Sequence, residues 1–174
     1  NVDDTLLSDI GSRWLGTDGD FLGAPCSDSV LIAVGDPSLR ARLAELYEAA
    51  GALIETYIHP SAILGSRTVV GRGSILSAGA MIMNNSRVGS FVHVDRHAMV
   101  GHDSQIGDFV TLHPAAVLSG GVRVGTRSRL GTCSCVLPNV SVGQYVTIGA
   151  GSVVTSSIQN GLTVAGVPAK PLGK

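Results

Sequence analysis

Residues 94–131 read VDRHAM VGHDSQ IGDFVT LHPAAV LSGGVR VGTRSR LG, and every block of six opens on Val, Ile or Leu. The same phase continues outward on both sides. From Ile58 to Val154 each sixth residue is Ile, Leu or Val, seventeen times in succession, although only 48 of the 174 residues are of these types. Glycine follows the aliphatic in nine of the seventeen hexapeptides, and the position two before it is small or β-branched. A hexapeptide period with this grammar specifies a parallel β-helix, a solenoid in which each turn stacks on the last.

The composition suits such a rod. Aromatic residues are only 4 % of the chain, too few for an ordinary mixed core. A narrow β-helix is filled by stacked aliphatics, each contributing roughly 1.5–3 kcal/mol on burial. The formal net charge is −1 with no basic run, which argues against nucleic acid or an anionic membrane as a partner. No stretch approaches the ~18 apolar residues of a membrane span. The three cysteines, Cys26, Cys133 and Cys135, read as free thiols of a reducing compartment, which points to the cytoplasm.

Residues 1–57 have a different texture. Residues 29–34 (SVLIAV) read as a buried strand, and Gly35-Asp36-Pro37 as a turn whose proline opens a helix. Leu39, Leu43, Leu46 and Ala50 form a stripe at helical spacing, Gly51 ends the helix, and residues 53–58 form a second strand. Strand, helix, strand is a piece of a parallel α/β, Rossmann-like subdomain. The opening Val2-Asp3-Asp4 reads as the end of a strand, so a strand, a glycine-rich turn and a helix are expected before it. Three parts follow: an incomplete α/β subdomain over 1–57, the β-helix over 58–158, and a Gly/Pro-containing tail over 159–174.

Three hexapeptides make one triangular turn, so residues eighteen apart stack about 4.8 Å apart. One outer face then carries Ile63, Met81, Met99, Val117, Cys135 and Val153. An apolar stripe of that length predicts a subunit interface, closing most simply as a cyclic trimer. The other reading of the stripe is that the N-terminal part or the tail folds over it. His102 lies at the corner beside the stripe, and Gly120 stands one turn above. A base next to a glycine N–H is what acyl transfer requires.

The hexapeptide array, Val100-Gly-His-Asp103, Leu118-Ser-Gly-Gly121 and Gly166-Val-Pro-Ala-Lys170 together resemble the left-handed β-helix acyltransferases. Within them the likeness is to the bacterial sialic acid O-acetyltransferases and nucleotide-amino-sugar N-acetyltransferases. The resemblance implies acetyl-CoA as acyl donor, no metal, and direct transfer to the amino group of a nucleotide-activated sugar, with a sugar hydroxyl as the alternative acceptor. It implies His102 as general base, Asp103 as its orienting acid and the Gly120 N–H as the donor to the thioester oxygen. Gly120, Gly121, Gly149, Gly166, Pro168 and Lys170 would line the CoA groove, with Lys170 near a phosphate. Asp3, Asp4, His93 and His97 would meet the acceptor. The chain departs from the pattern at Thr111, where relatives often carry a second histidine; His113 follows two positions on.

Two readings from other classes share the rod. A γ-class carbonic anhydrase would use His97 and His102 as zinc ligands, but the third ligand is needed where Ser61 stands. A non-catalytic scaffold would bind no acetyl-CoA at all. Phe91, Phe109 and Tyr145 share one column, interrupted by Arg127, and read as a packing ladder, with an adenine platform as the other reading. His113, one turn above Asp95, reads as its structural ion-pair partner, with a substrate contact as the other reading.

Overall fold

The computed structural model describes Thr17 and residues 29–172. Residues 57–154 form the expected solenoid of two-residue parallel strands arranged on three faces. Its register has the expected step of eighteen: Met99 pairs with Val117 and Val100 with Leu118. The apolar face carries six strands, from Ile63–Leu64 to Val153–Val154, with Met99–Val100 in the middle. The polar face has five, from Val69–Val70 to Ser141–Val142. The third, the seam face, holds Tyr57–Ile58, His93–Val94 and Thr111–Leu112 among its eight strands.

Inside the rod the aliphatics form a continuous dry stack. Leu76, Ile82, Val94, Val100, Leu112, Leu118, Leu130 and Val136 are fully buried. The small residue two before each aliphatic has a specific task at several corners. Ser86 Oγ donates to the Gly101 carbonyl (2.8 Å) and accepts from the Ser104 N–H (3.1 Å), so a buried corner keeps its polar groups paired. The third residue after many of the aliphatics takes positive φ, as at Asp103 (+58°) and His97 (+56°), which turns the chain toward the next face. At the start of the rod Ile58 and Leu64 remain about 40 % exposed (40 % and 41 %), because no turn lies below them among the described residues.

The N-terminal unit has β1 (Ser29–Val30), α1 (Pro37–Ala49) and β2 (Leu53–Ile54), with β1 and β2 paired in parallel. Asp36 caps α1, accepting from Ser38 N and Leu39 N (both 2.9 Å). Two expectations change here. The strand expected over 53–58 is split, because Leu53–Ile54 pairs with β1 while Tyr57–Ile58 pairs with Ile75–Leu76 of the rod. The helical stripe is also placed differently. Leu39 and Leu46 are exposed, and the buried face is Arg40, Ala41 and Ala44. The solenoid wall lies close against α1, where two alanines leave room and leucines would not.

Arg40 joins the two units. Wholly buried, it donates to the carbonyls of Phe91 (2.8 Å), Phe109 (2.9 Å) and Val110 (3.2 Å), to Thr111 Oγ1 (3.0 Å), and to Val34 O and Gly35 O. Burial pushes its pKa down to about 10, with Asp36 acting in the opposite sense. Phe91 and Phe109 stack at 5.0 Å beside it, with Arg72 over Phe91 and Arg127 over Phe109 and Tyr145. Phe91 and Phe109 are therefore packing residues of the seam.

The tail departs from the six-residue phase yet stays in the sheet. Thr163–Gly166 pairs with Thr147–Ile148, and Ala169–Pro171 returns antiparallel to it across a cis Val167–Pro168 bond. Neither the tail nor the N-terminal unit covers the apolar face among the described residues, since both belong to the seam side.

Candidate active site

His102 projects from the corner between the apolar and polar faces, with its side chain 68 % exposed. Its Nδ1 is 2.7 Å from Asp103 Oδ2. The hydrogen bond from His102, followed by that from Asn85, holds the Asp103 carboxyl below the usual carboxylate range. An ionised carboxylate only accepts, so Nδ1 carries the proton and Nε2 keeps its lone pair. The positive φ of Asp103 turns its side chain back toward the imidazole.

Asp103 is itself oriented from the turn below. Asn85 Nδ2 donates to Asp103 Oδ1 (3.0 Å), and Arg67 Nε donates to Asn85 Oδ1 (2.6 Å). Arg67, Asn85 and Asp103 stand eighteen apart in one corner column. The sequence reading missed Arg67 and Asn85, although the same step of eighteen points to them.

The imidazole lies over Gly120. A Cβ placed on that glycine would stand 2.5 Å from His102 Nε2, so only glycine lets the ring rest there. Elsewhere in this column a side chain of the next turn accepts the corner N–H, as Asn84 Oδ1 does from Ser66 N (2.9 Å). The turn above Gly120 offers Pro138 at that place, and the Gly120 N–H donates to no acceptor among the described residues. A bare imidazole nitrogen and a free amide hydrogen thus share one open corner. The polar face runs away from it as an open groove of about 580 Å³ with Arg87, Gln105 and Arg123 along its wall.

The other predicted residues are dispersed. The Gly121 N–H donates to the His102 carbonyl (2.8 Å), which ties one turn to the next. Gly149 lies against the tail, its N–H on Val164 O (2.8 Å), and Gly166 N donates to Ser152 Oγ (3.1 Å). Pro168 is the turn of the hairpin, and Lys170 is exposed on its returning strand. Asp3 and Asp4 lie outside the described residues. His97 occupies the corner between the seam and apolar faces, over Gly79, at the opposite end of Met99–Val100 from His102. His93 is half-buried in the seam, with Nε2 3.0 Å from the Ile32 carbonyl.

Three further points correct or refine the sequence reading. No ion pair joins His113 to Asp95; the Asp95 carboxylate instead accepts Arg96 N at 2.7 Å. Thr111 is buried, donating to Gly35 O (2.8 Å) and accepting from Arg40, so it serves the seam. Among the described residues no group of three or more His, Cys, Asp or Glu side chains is placed to hold a metal ion.

Comparison with solved structures finds relatives over nearly the whole chain. The acetyltransferase domain of PglB from Neisseria gonorrhoeae is 37 % identical, matched over 93 % of this chain and 80 % of its own, with a TM-score of 0.88. Perosamine N-acetyltransferase from Caulobacter crescentus, in a histidine-mutant complex with CoA and GDP-perosamine, is 32 % identical over 95 % of this chain and 80 % of its own, with a TM-score of 0.90. WeeI from Acinetobacter baumannii is 28 % identical over 98 % and 84 %, with a TM-score of 0.87. No family model matches the sequence, and no curated protein matches it. The chain belongs to the left-handed β-helix acetyltransferases built of hexapeptide repeats. It is an acetyl-CoA-dependent acetyltransferase.

Proposed function

We propose that the chain transfers an acetyl group from acetyl-CoA to the amino group of a nucleotide-activated amino sugar, directly and without an acyl-enzyme. The observation that carries this reading is the corner where a bare His102 Nε2 adjoins the free Gly120 N–H. His102 accepts a proton from the sugar amine as its nitrogen attacks the thioester carbon, and the Gly120 N–H donates to the carbonyl oxygen as charge builds there. The C–S bond then breaks, and His102 returns the proton to the departing thiolate. Asp103, steadied by Asn85, stabilises the imidazolium between the two transfers.

The nature of the acceptor is supported by relatives. The Caulobacter enzyme was determined with GDP-perosamine, an amino sugar nucleotide. On this reading His93 and His97 are sugar-side contacts, with Asp3 and Asp4 nearer the base. Gly120, Gly121, Gly149, Gly166, Pro168 and Lys170 would follow the CoA chain toward its nucleotide end. The uncovered apolar face with Met81, Met99 and Val117 is the interface of a cyclic trimer, and sedimentation at three times the chain mass is expected; a monomer mass contradicts it. The chain would work in the cytoplasm, with recovery in a soluble cytoplasmic fraction as the check. Among the described residues no helix is long and apolar enough to cross a membrane.

The test of function is a thiol-release assay with acetyl-CoA against UDP-, GDP- and dTDP-linked amino sugars and free sialic acid. Release with at least one amino sugar nucleotide is expected. Release with sialic acid alone would assign O-acetylation instead.

A further inference from the structure

Two adjacent glycines, Gly120 and Gly121, form the floor of the His102 corner, and a side chain rests on each from opposite directions. His102 comes up from the turn below and lies over Gly120. Asn139 comes down from the turn above, and a Cβ on Gly121 would collide with its Oδ1. Positive φ is not what requires glycine at 121, because Arg67, Asn85, Asp103 and Asn139 take φ of +56° to +61° at the same place in other turns. The missing side chain instead opens the column between Asp103 and Asn139. Below that gap the column is bonded from turn to turn, Arg67 to Asn85 and Asn85 to Asp103. Above it the Asn139 backbone is fixed by its N–H on Gly120 O at 3.0 Å. Its exposed carboxamide has no hydrogen-bond partner among the described residues. The result is a notch, with His102 and Asp103 as its lower wall and Pro138 and Asn139 as its upper wall.

The Gly120 N–H points toward the upper wall. At the equivalent place in an earlier turn Ser66 N donates up to Asn84 Oδ1, eighteen residues on. At Gly120 that acceptor would belong to Pro138, whose side chain has none. An acetyl oxygen bonded to Gly120 N therefore sits where the Asn84 oxygen sits against Ser66, directly beside Asn139. We infer that Asn139 is a second catalytic donor, its Nδ2 donating to the acetyl carbonyl oxygen alongside the Gly120 N–H. This rests on the function proposed above and adds the group that meets the oxygen from the upper wall. Gly121 offers the carboxamide only a Cα, so its amide end is free to turn to the oxygen. An oxyanion accepts more than one hydrogen bond, and a single backbone N–H leaves part of the developing charge unmet. Asn139 keeps its protons throughout, while His102 alone carries the one that moves.

The test compares wild type, Asn139→Gly and Asn139→Asp. Glycine adopts the positive φ without strain and removes the donor, whereas aspartate keeps the size and offers only acceptors. In thiol release with the best amino sugar nucleotide, kcat of Asn139→Gly is expected to fall about 10²-fold, as for one lost oxyanion donor, with the acetyl-CoA KM unchanged. Asn139→Asp should lose at least as much. A second readout is the carbonyl stretch of bound acetyl-CoA, followed by isotope-edited difference infrared spectroscopy. It should lie at lower frequency in wild type than in Asn139→Gly, because each donor polarises the C=O bond. Wild-type kcat in either variant, or the same stretch in wild type and Asn139→Gly, overturns the inference and leaves the proposed function standing. Absence of wild-type turnover with every acceptor overturns the function, and the infrared comparison, which needs no acceptor, then decides the inference by itself.

Discussion

His102 and His93 are nine residues apart on the same rod, yet they are held as opposite tautomers. At the open corner a carboxylate fixes the proton on Nδ1 of His102 and leaves Nε2 bare toward Gly120. In the seam a carbonyl fixes the proton on Nε2 of His93 and leaves Nδ1 bare. The first ring is largely exposed, with a carboxylate 2.7 Å from its Nδ1. The second is half-buried beside a cation that opposes its protonation. One ring is therefore suited to carry a proton during a reaction and the other to remain a neutral acceptor. The contrast comes from the partner of one nitrogen in each case, and the residue type alone does not reveal it.

The largest effect that would break this contrast is at the corner. His102→Ala is expected to lower turnover about 10²–10⁴-fold while acetyl-CoA binding persists, as followed by thiol release and calorimetry. Normal turnover would show that the base is elsewhere. Gly120→Ala should follow, because the added methyl displaces the imidazole. A loss of about 10²–10³-fold is expected, the range for a misplaced oxyanion donor, and unchanged rates would mean that the ring has another resting place.

The seam answers to stability measurements. Arg40→Met removes the donor from the Phe91, Phe109 and Val34 carbonyls together. It should cost about 3 kcal/mol, read from urea denaturation; a shift within error would mean that water replaces the guanidinium. The smallest effect concerns acid. His93 is depressed to about 4 in the folded protein, against about 6.5 for a free histidine. Between those values the unfolded chain binds the extra proton, so stability falls as pH drops through that window. The loss should reach about 2–3 kcal/mol, with Asp95 and Arg40 the charged groups acting on the ring. His93→Gln should remove that pH-dependent part, and an identical acid profile in the variant would contradict the assignment.

The rod was legible because its information is periodic. The row from Ile58 to Val154 states which side chains point inward, and the step of eighteen places Gly120 over His102 from the sequence alone. The same arithmetic reaches Asn85 and Arg67 beneath Asp103, but their polar side chains resemble ordinary solvated corners until their hydrogen bonds are seen. The seam was much less legible. An arginine in a short helix normally reads as exposed, and nothing local marks Arg40 as the residue that meets carbonyls about fifty and seventy positions away. Leu39 and Leu46 matched a helical stripe, but the space available against the solenoid wall decided which face of α1 was buried. The break between Leu53–Ile54 and Tyr57–Ile58 is likewise set by two different pairing partners.

The base and the carbonyl oxygen of the donor must meet at one place, the His102 corner. A crystal structure with CoA and an amino sugar nucleotide tests it most directly. The CoA sulfur is expected at the His102 corner and the sugar amine within hydrogen-bond reach of His102 Nε2, with the acetyl oxygen, where an acetyl-CoA complex is captured, about 3 Å from Gly120 N. A sulfur seated away from that corner, with His102 facing only solvent, would contradict it.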